Sequence, residues 1–295
     1  MIDLIQALGV AYEENVPMAA KTSFKIGGPA ELMLFPASVE QLQACIKLCK
    51  EHGEKPFILG CGSNLLVKDS GLDGAVISME RLTGSPQAAP TGLVSCGAGV
   101  KLSELCVFAQ KNGLSGLEFA YGIPGSAGGA AYMNAGAYGG EMKDVLQSVQ
   151  YIRTTGEICE LPAGALELGY RRSAFMQNHG IIAGITVQLQ PGDPAEIRAK
   201  MNEIMQQRKD KQPLEFPSAG SVFKRPEGHF AGALIEQCGL KGQSVGGAQV
   251  SEKHAGFIVN TGGAMARDVR ALIALVQTVV ENETGVFLEP EIRFV

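Results

Sequence analysis

No stretch of this 295-residue chain comes near the about 18 consecutive apolar residues that a membrane-spanning helix needs. The N-terminus, Met1-Ile-Asp-Leu-Ile-Gln6, has neither a basic leader nor a cleavable apolar segment, so no secretion signal is expected. Charge is mixed, without long blocks: 30 acids against 25 bases leave a formal net charge of −5. That excludes the basic footprint of a nucleic-acid binder. There is no internal repeat and no C-x-x-C pair among the seven cysteines at 45, 49, 61, 96, 106, 159 and 238. Cys45 and Cys49 fall four apart in an apparent helix, where buried free thiols are expected over metal ligands, because cysteine packs as a small hydrophobe. The expectations are a reducing cytoplasm, no metal, no nucleic-acid or membrane partner, and a monomer.

What is abundant is glycine, 38 residues, about 13% against a usual value near 7%. It has no period, and 45% hydrophobic content leaves material for a core, so neither collagen nor disorder fits. Residues 121–139 hold six glycines and no charged side chain. A second run, Gly60-Cys-Gly-Ser-Asn64, directly follows the apolar stretch 56–59. Two glycine loops, each fed by an apparent strand, suggest a dinucleotide held by main-chain N–H donors. A Rossmann fingerprint fails at both possible places, because Leu65 and Leu102 stand where the third glycine belongs, and there is no P-loop. Flavin-binding folds of the vanillyl-alcohol-oxidase (PCMH) type, which hold the pyrophosphate with two separated loops, remain the best candidate.

Ser38-Val-Glu-Gln41 has the form of a capping box and opens a helix with apolar residues at 39, 42, 45, 46 and 49 that stops at Gly53. A second helix is expected over 102–112, closed by Gly113. Short strands are expected at 56–59, 65–67, 75–77 and 93–96, a hairpin at 145–152 and 158–161 about a turn at 154–157, and a strand at 181–189. A charged helix is expected over 194–211, then the stiff connector Gln212-Pro-Leu-Glu-Phe-Pro217. Helices at 230–238 and 265–283, a strand at 257–260 and a final strand over 286–295 complete the reading. Glycine thins after about 190, which suggests a boundary there.

Six stretches carry a resemblance: Thr22-Ser-Phe-Lys-Ile-Gly-Gly28, Gly60-Cys-Gly-Ser-Asn-Leu-Leu-Val67, Gly122-Ile-Pro-Gly-Ser126 with Asn134-Ala-Gly-Ala-Tyr-Gly139, Tyr170-Arg-Arg-Ser173, Ala219-Gly-Ser-Val-Phe-Lys224 and Leu288-Glu-Pro-Glu-Ile-Arg293. In this order they resemble the UDP-N-acetylenolpyruvoylglucosamine reductase (MurB) family, flavoenzymes of peptidoglycan precursor synthesis, in its shorter type II branch. The resemblance implies an α+β fold: an N-terminal helix and lead-in at 1–20, a two-subdomain PCMH-type FAD-binding platform at 21–192, and an α+β substrate-binding domain at 193–295. It also implies non-covalent FAD, NADPH as hydride donor, and a UDP-sugar enolpyruvyl ether as the small-molecule substrate.

By the same resemblance the catalytic residues are Arg171, Ser221 and Glu291. Arg171 meets the enolpyruvyl carboxylate; Arg172 reads as a surface arginine. Ser221 gives a proton to the α-carbon, and Glu291, if protonated, hydrogen-bonds the developing enolate. Glu289 is passed over, because the family's Glu-[Val/Ile]-Arg register selects 291. The cofactor set is Gly60, Cys61, Gly62, Ser63, Asn64, Leu65, Ile123, Pro124, Gly125, Ser126, Gly128, Gly129, Asn134 and Gly136, and the substrate set is Tyr170, Lys211, Lys224 and Gln249. Near His254, Gly256 departs from the Asn usual in the family. Two other readings stay open: another FAD-dependent oxidoreductase of the same superfamily, and a non-catalytic flavin-binding subunit.

Overall fold

Local caps and apolar stripes place the helices. The Ser38 hydroxyl accepts the Gln41 N–H at 3.2 Å and opens the helix Val39–Glu51, which buries Leu42, Cys45, Ile46 and Cys49 on one face. The reciprocal half of the expected capping box is shifted by one residue: Gln41 Oε1 accepts the Ala37 N–H at 2.9 Å. Gly53, at φ +71°, follows the end of this helix, and Gly113, at φ +65°, follows Leu102–Lys111. These elements belong to a computed structural model that describes residues 2–295; Met1, the first residue of the expected lead-in, lies outside them.

The chain forms two compact units. The first comprises the described residues up to Glu14 with Leu32–Cys61 and Gly74–Gln207. At its centre is an antiparallel five-stranded sheet, in the order Ile158–Pro162, Leu146–Ile152, Ile181–Gln188, Leu93–Gly97, Gln87–Ala88. The expected hairpin is present, with Ile152 opposite Ile158 and the Gly156 N–H donating to the Arg153 carbonyl at 2.8 Å. A second sheet runs in the order Ala11–Pro17, Pro29–Phe35, Leu72–Ser78, Phe57–Leu59, the last two parallel. Its first three strands carry the chain from one unit to the other.

The helix Pro194–Lys211 forms where expected, but Ile197 and Met201 pack in the first unit's core. It is tied there by Arg198 Nη2 donating to Gln110 Oε1 (3.1 Å) and by Gln110 Nε2 donating to the Pro194 carbonyl (2.9 Å). Contacts therefore divide the chain between 207 and 208, whereas the sequence suggests 192 and 193. An apolar stripe, not a change in glycine content, decides which core a helix joins.

The second unit is made of Asn15–Glu31, Gly62–Asp73 and Arg208–Val295. Its antiparallel sheet has the order Ser218–Ser221, Phe257–Asn260, Ala248–Val250, Ser244–Val245 and packs with the helices Ala231–Gln237 and Ala266–Thr284. Phe24, Ile26 and Leu66 share its core with Val222, Leu272 and Val276.

Two expectations are corrected. The final strand over 286–295 shrinks to Arg293–Phe294, paired in parallel with Leu65–Leu66. Pro290 has no N–H to sustain a ladder, and upstream only a single bridge to Phe223 forms. The run 121–139 is not all loop, since Ala127–Met133 is helical. Its alanines supply helix propensity despite two glycines.

Candidate functional site

In the first unit the two glycine loops lie against each other. A Cβ on Gly60 would stand 2.8 Å from Ser126 Oγ, so only glycine lets the backbone approach this closely. Ser126 is buried, and its hydroxyl caps the helix Ala127–Met133 by accepting the Gly129 N–H at 3.2 Å. Among the described residues, the N–H groups of Cys61, Gly125 and Ser126 have no protein acceptor. Such donors on apposed loops fit a pyrophosphate. Other members of the expected cofactor set are engaged internally: the Ile123 N–H donates to the Ala120 carbonyl (3.0 Å) and the Gly128 N–H to the Ala98 carbonyl (2.9 Å), while Pro124 has none to give. The helix cap takes the Gly129 donor and the Ala98 carbonyl takes that of Gly128.

Asn134 terminates that helix in the left-handed conformation, wholly buried, with its carboxamide bonded to protein groups. Gly136 pairs with Glu141 in a two-stranded ribbon. Beyond it, reciprocal 3.1 Å bonds between Gly169 and Arg172 close a tight hairpin with Tyr170 and Arg171 at its tip. Tyr170 is half exposed, and the Arg171 guanidinium sits 5.1 Å from its ring centroid while Nη2 reaches the Gly136 carbonyl at 3.4 Å. Arg172 pairs with Glu167 at the surface, as a solvated arginine should.

The second unit gathers another group of the expected residues. The N–H groups of Gly62 and Ser63 have no acceptor among the described residues. Asn64 Nδ2 donates to the Glu291 carbonyl at 3.3 Å, and the Arg293 N–H donates to the Asn64 carbonyl at 3.0 Å, with Leu65 opposite Arg293. The Glu291 N–H in turn donates to the Val222 carbonyl at 2.7 Å, next to Ser221. Ser221 ends its strand opposite Phe257, after a bulge that includes Gly220 at φ +77°. Asn64, Ser221 and Glu291, spread over 228 positions, thus share one backbone cluster.

Lys224 lies beside this cluster, its N–H on the Glu289 carbonyl (2.8 Å) and its Nζ 2.5 Å from Glu289 Oε1. Glu289, passed over in the sequence, is therefore the partner of Lys224; at a separation of 65 positions, no local signal could have paired them. Lys211 is exposed at its helix end, and Gln249 donates to the Gly242 carbonyl at 3.2 Å. The structure ties neither to Ser221 or Glu291. The departure at 256 has a local cause: a Cβ there would stand 2.9 Å from His254 Cε1, and the Gly256 N–H donates to His254 Nδ1 at 3.1 Å.

Burial pushes the Cys45 and Cys96 thiols up to about 12 and that of Cys49 to about 11. Burial also raises Cys61, in the first glycine loop, which makes its thiol a poor nucleophile.

The comparisons agree with this geometry. Residues 30–162 match the family described as "FAD binding domain", and residues 212–295 the family "UDP-N-acetylenolpyruvoylglucosamine reductase, C-terminal domain". The solved structures of a BBE-like protein from Physcomitrella patens and a carbohydrate oxidase from Microdochium nivale each reach a TM-score of 0.50 over 64% of this chain and 44% and 43% of theirs, at 16% and 17% identity, a likeness of fold alone. Fold and glycine loops thus define an FAD-binding α+β protein with a PCMH-type platform.

Closer relatives narrow the class. The UDP-N-acetylenolpyruvoylglucosamine reductase of Lachnoclostridium phytofermentans is 48% identical over 95% of this chain and 92% of its own, and that of Clostridium perfringens 45% identical over 100% and 98%. The crystal structure of the Thermus caldophilus enzyme superposes with a TM-score of 0.81 at 35% identity, over 97% of this chain and 98% of that one. The chain belongs to the UDP-N-acetylenolpyruvoylglucosamine reductase family.

Proposed function

We propose that this chain uses NADPH to reduce the enolpyruvyl ether of UDP-N-acetylglucosamine to UDP-N-acetylmuramate, in peptidoglycan precursor synthesis. Bound FAD supplies the hydride chemistry between the two substrates. In this reading the platform within 21–192 holds the cofactor through loops 60–65 and 123–126, and the chain from 193 on serves the sugar nucleotide.

The chain's own residues must stabilise charge and deliver a proton. When a hydride equivalent reaches the β-carbon of the vinyl ether, negative charge develops on the α-carbon and carboxylate. Arg171, permanently charged and fork-shaped, meets the carboxylate oxygens. Glu291, as the protonated acid, donates a hydrogen bond to the enolate-like group from its other side. Ser221 donates its hydroxyl proton to the α-carbon and recovers one from its neighbours; so weak an acid works only within hydrogen-bond reach. Tyr170, Lys211, Lys224 and Gln249 hold the rest of the substrate. Seven cysteines without a disulfide support a reducing, cytoplasmic setting, and the reading takes the enzyme as a monomer. No helix among the described residues is long and apolar enough to cross a membrane.

The single observation that supports this reading most is the pair of backbone contacts Asn64–Glu291 and Glu291–Val222, the second made next to Ser221. It brings a residue of the expected cofactor loop to the backbone of Glu291, and Glu291 to the residue that follows Ser221. The test is direct. Purified protein should be yellow, bleach anaerobically with NADPH, and regain its flavin absorbance on addition of the enolpyruvyl sugar nucleotide. A colourless chain that takes up no FAD, or reduced flavin that the sugar nucleotide leaves reduced, overturns it.

A further inference from the structure

Asn134 is wholly buried at the C-cap of the seven-residue helix Ala127–Met133, with φ +43°. Its carboxamide is saturated: Nδ2 donates to Glu141 Oε2 (2.6 Å) and to the Gly169 carbonyl (2.9 Å), and Oδ1 accepts the Lys143 N–H (2.8 Å). Lys143 pairs in turn with Glu141. Gly169 is the first residue of the hairpin that carries Arg171 at its tip, and Arg171 itself has φ +52°. Non-glycine residues persist in the left-handed region where their surroundings over-determine them. Here one such residue, Asn134, bonds to Gly169, two positions before the other, Arg171, whose Nη2 makes a longer contact with the Gly136 carbonyl. At the other end of the same helix sits Ser126, the buried cap of the cofactor loop.

We infer that Asn134 is a positioning residue that fixes the Arg171 hairpin to the helix leading from the cofactor loop, so that the guanidinium keeps a set place relative to Ser126. A helix of this length is a stiff spacer of about 10 Å, and Asn134 is the joint at its far end. The inference rests on the reading of Arg171 as the carboxylate-binding residue. It gives Asn134 a role through Arg171 rather than the direct cofactor contact expected from the sequence.

The test compares Asn134→Gly and Asn134→Asp with the parent, all as flavin-loaded full-length enzyme. Glycine keeps the left-handed backbone and removes the carboxamide. Aspartate keeps the acceptor for Lys143 but sets an oxygen against the Gly169 carbonyl and the Glu141 carboxylate. In both, backbone amides of 167–173 should exchange with deuterium about tenfold faster while those of 127–133 stay unchanged. Flavin reduction by NADPH should stay within about twofold, whereas reoxidation by the enolpyruvyl sugar nucleotide should slow by about tenfold or more, with a raised KM. Unchanged exchange in the hairpin, or equal slowing of both half-reactions together with flavin loss, overturns the inference, since either is what a merely structural asparagine gives. Arg171→Lys run alongside separates the two claims. If it leaves reoxidation intact, the reading of Arg171 falls, while the exchange result still judges the brace.

Discussion

Ser221 carries the most specific chemical demand. The residue ends its strand next to Val222, whose carbonyl accepts the Glu291 N–H, and a serine there is an ordinary turn residue unless it gives up a proton. Ser221→Ala should keep bound flavin and its reduction by NADPH while the oxidative half-reaction slows by about a hundredfold or more, the usual reach of positioned acid catalysis. Stopped-flow traces in which both halves slow alike would remove Ser221 from that role. His254 gives a prediction of another kind. Burial lowers its pKa below the ordinary 6.5, and Nδ1 already accepts the Gly256 N–H. On acidification the unfolded chain takes up this proton before the folded one does, so stability is unaffected above about 6.5 and falls below it, by at most about 1.4 kcal/mol per pH unit. Denaturant midpoints measured from about pH 7 down to 5 should show this loss, and His254→Gln should flatten it; parallel curves would show that another group is responsible.

Elements differ in how far away their determinants lie. Ser38, adjacent to its helix, is a cap legible in the sequence. The helix Ala266–Thr284 takes its cap from Asp69, whose two carboxylate oxygens accept the Ala266 and Arg267 N–H groups at 2.7 and 3.1 Å. Nothing near 266 announces that partner. Asp69→Ala should therefore destabilise the protein by about 1 kcal/mol, as loss of a local cap does; an unchanged thermal midpoint would show the contact to be energetically idle. The same contrast applies to the glycine run at 121–139. Its charge-free composition pointed to a ligand loop, yet alanine propensity and the Ser126 cap turn its middle into a helix, and three N–H groups counted toward the cofactor, those of Ile123, Gly128 and Gly129, are used up within the protein.

At the scale of the whole molecule, the C-terminal unit is not a contiguous piece of chain. Phe24, Ile26 and Leu66 lie in its core, each at 2% exposure or less. Ser23 Oγ donates to the Ser218 carbonyl at 2.7 Å, and Asn260 Nδ2 to the Phe24 carbonyl at 3.2 Å. Burying three such side chains contributes about 5–9 kcal/mol, comparable to the entire stability of a small domain. A fragment beginning at 208 should consequently lack cooperative unfolding, and adding back 15–31 and 62–73 by fusion should restore it. A sharp melt of 208–295 alone, followed by circular dichroism, would refute this account of the core.

By itself the sequence determined the local elements and the family: caps and stripes placed the helices at 39–51, 102–111 and 194–211, and six motifs in order carried the resemblance from which the proposed site residues are taken. These are properties of near neighbours along the chain, where propensity and spacing act directly. Tertiary structure alone decided that Asn64 reaches Glu291, that Glu289 holds Lys224, that Asn134 bonds to the arginine hairpin, and that early segments complete the C-terminal core. Such pairings span 35 to more than 200 residues. They arise from the packing of whole faces, and no short stretch of sequence records which distant face it will meet.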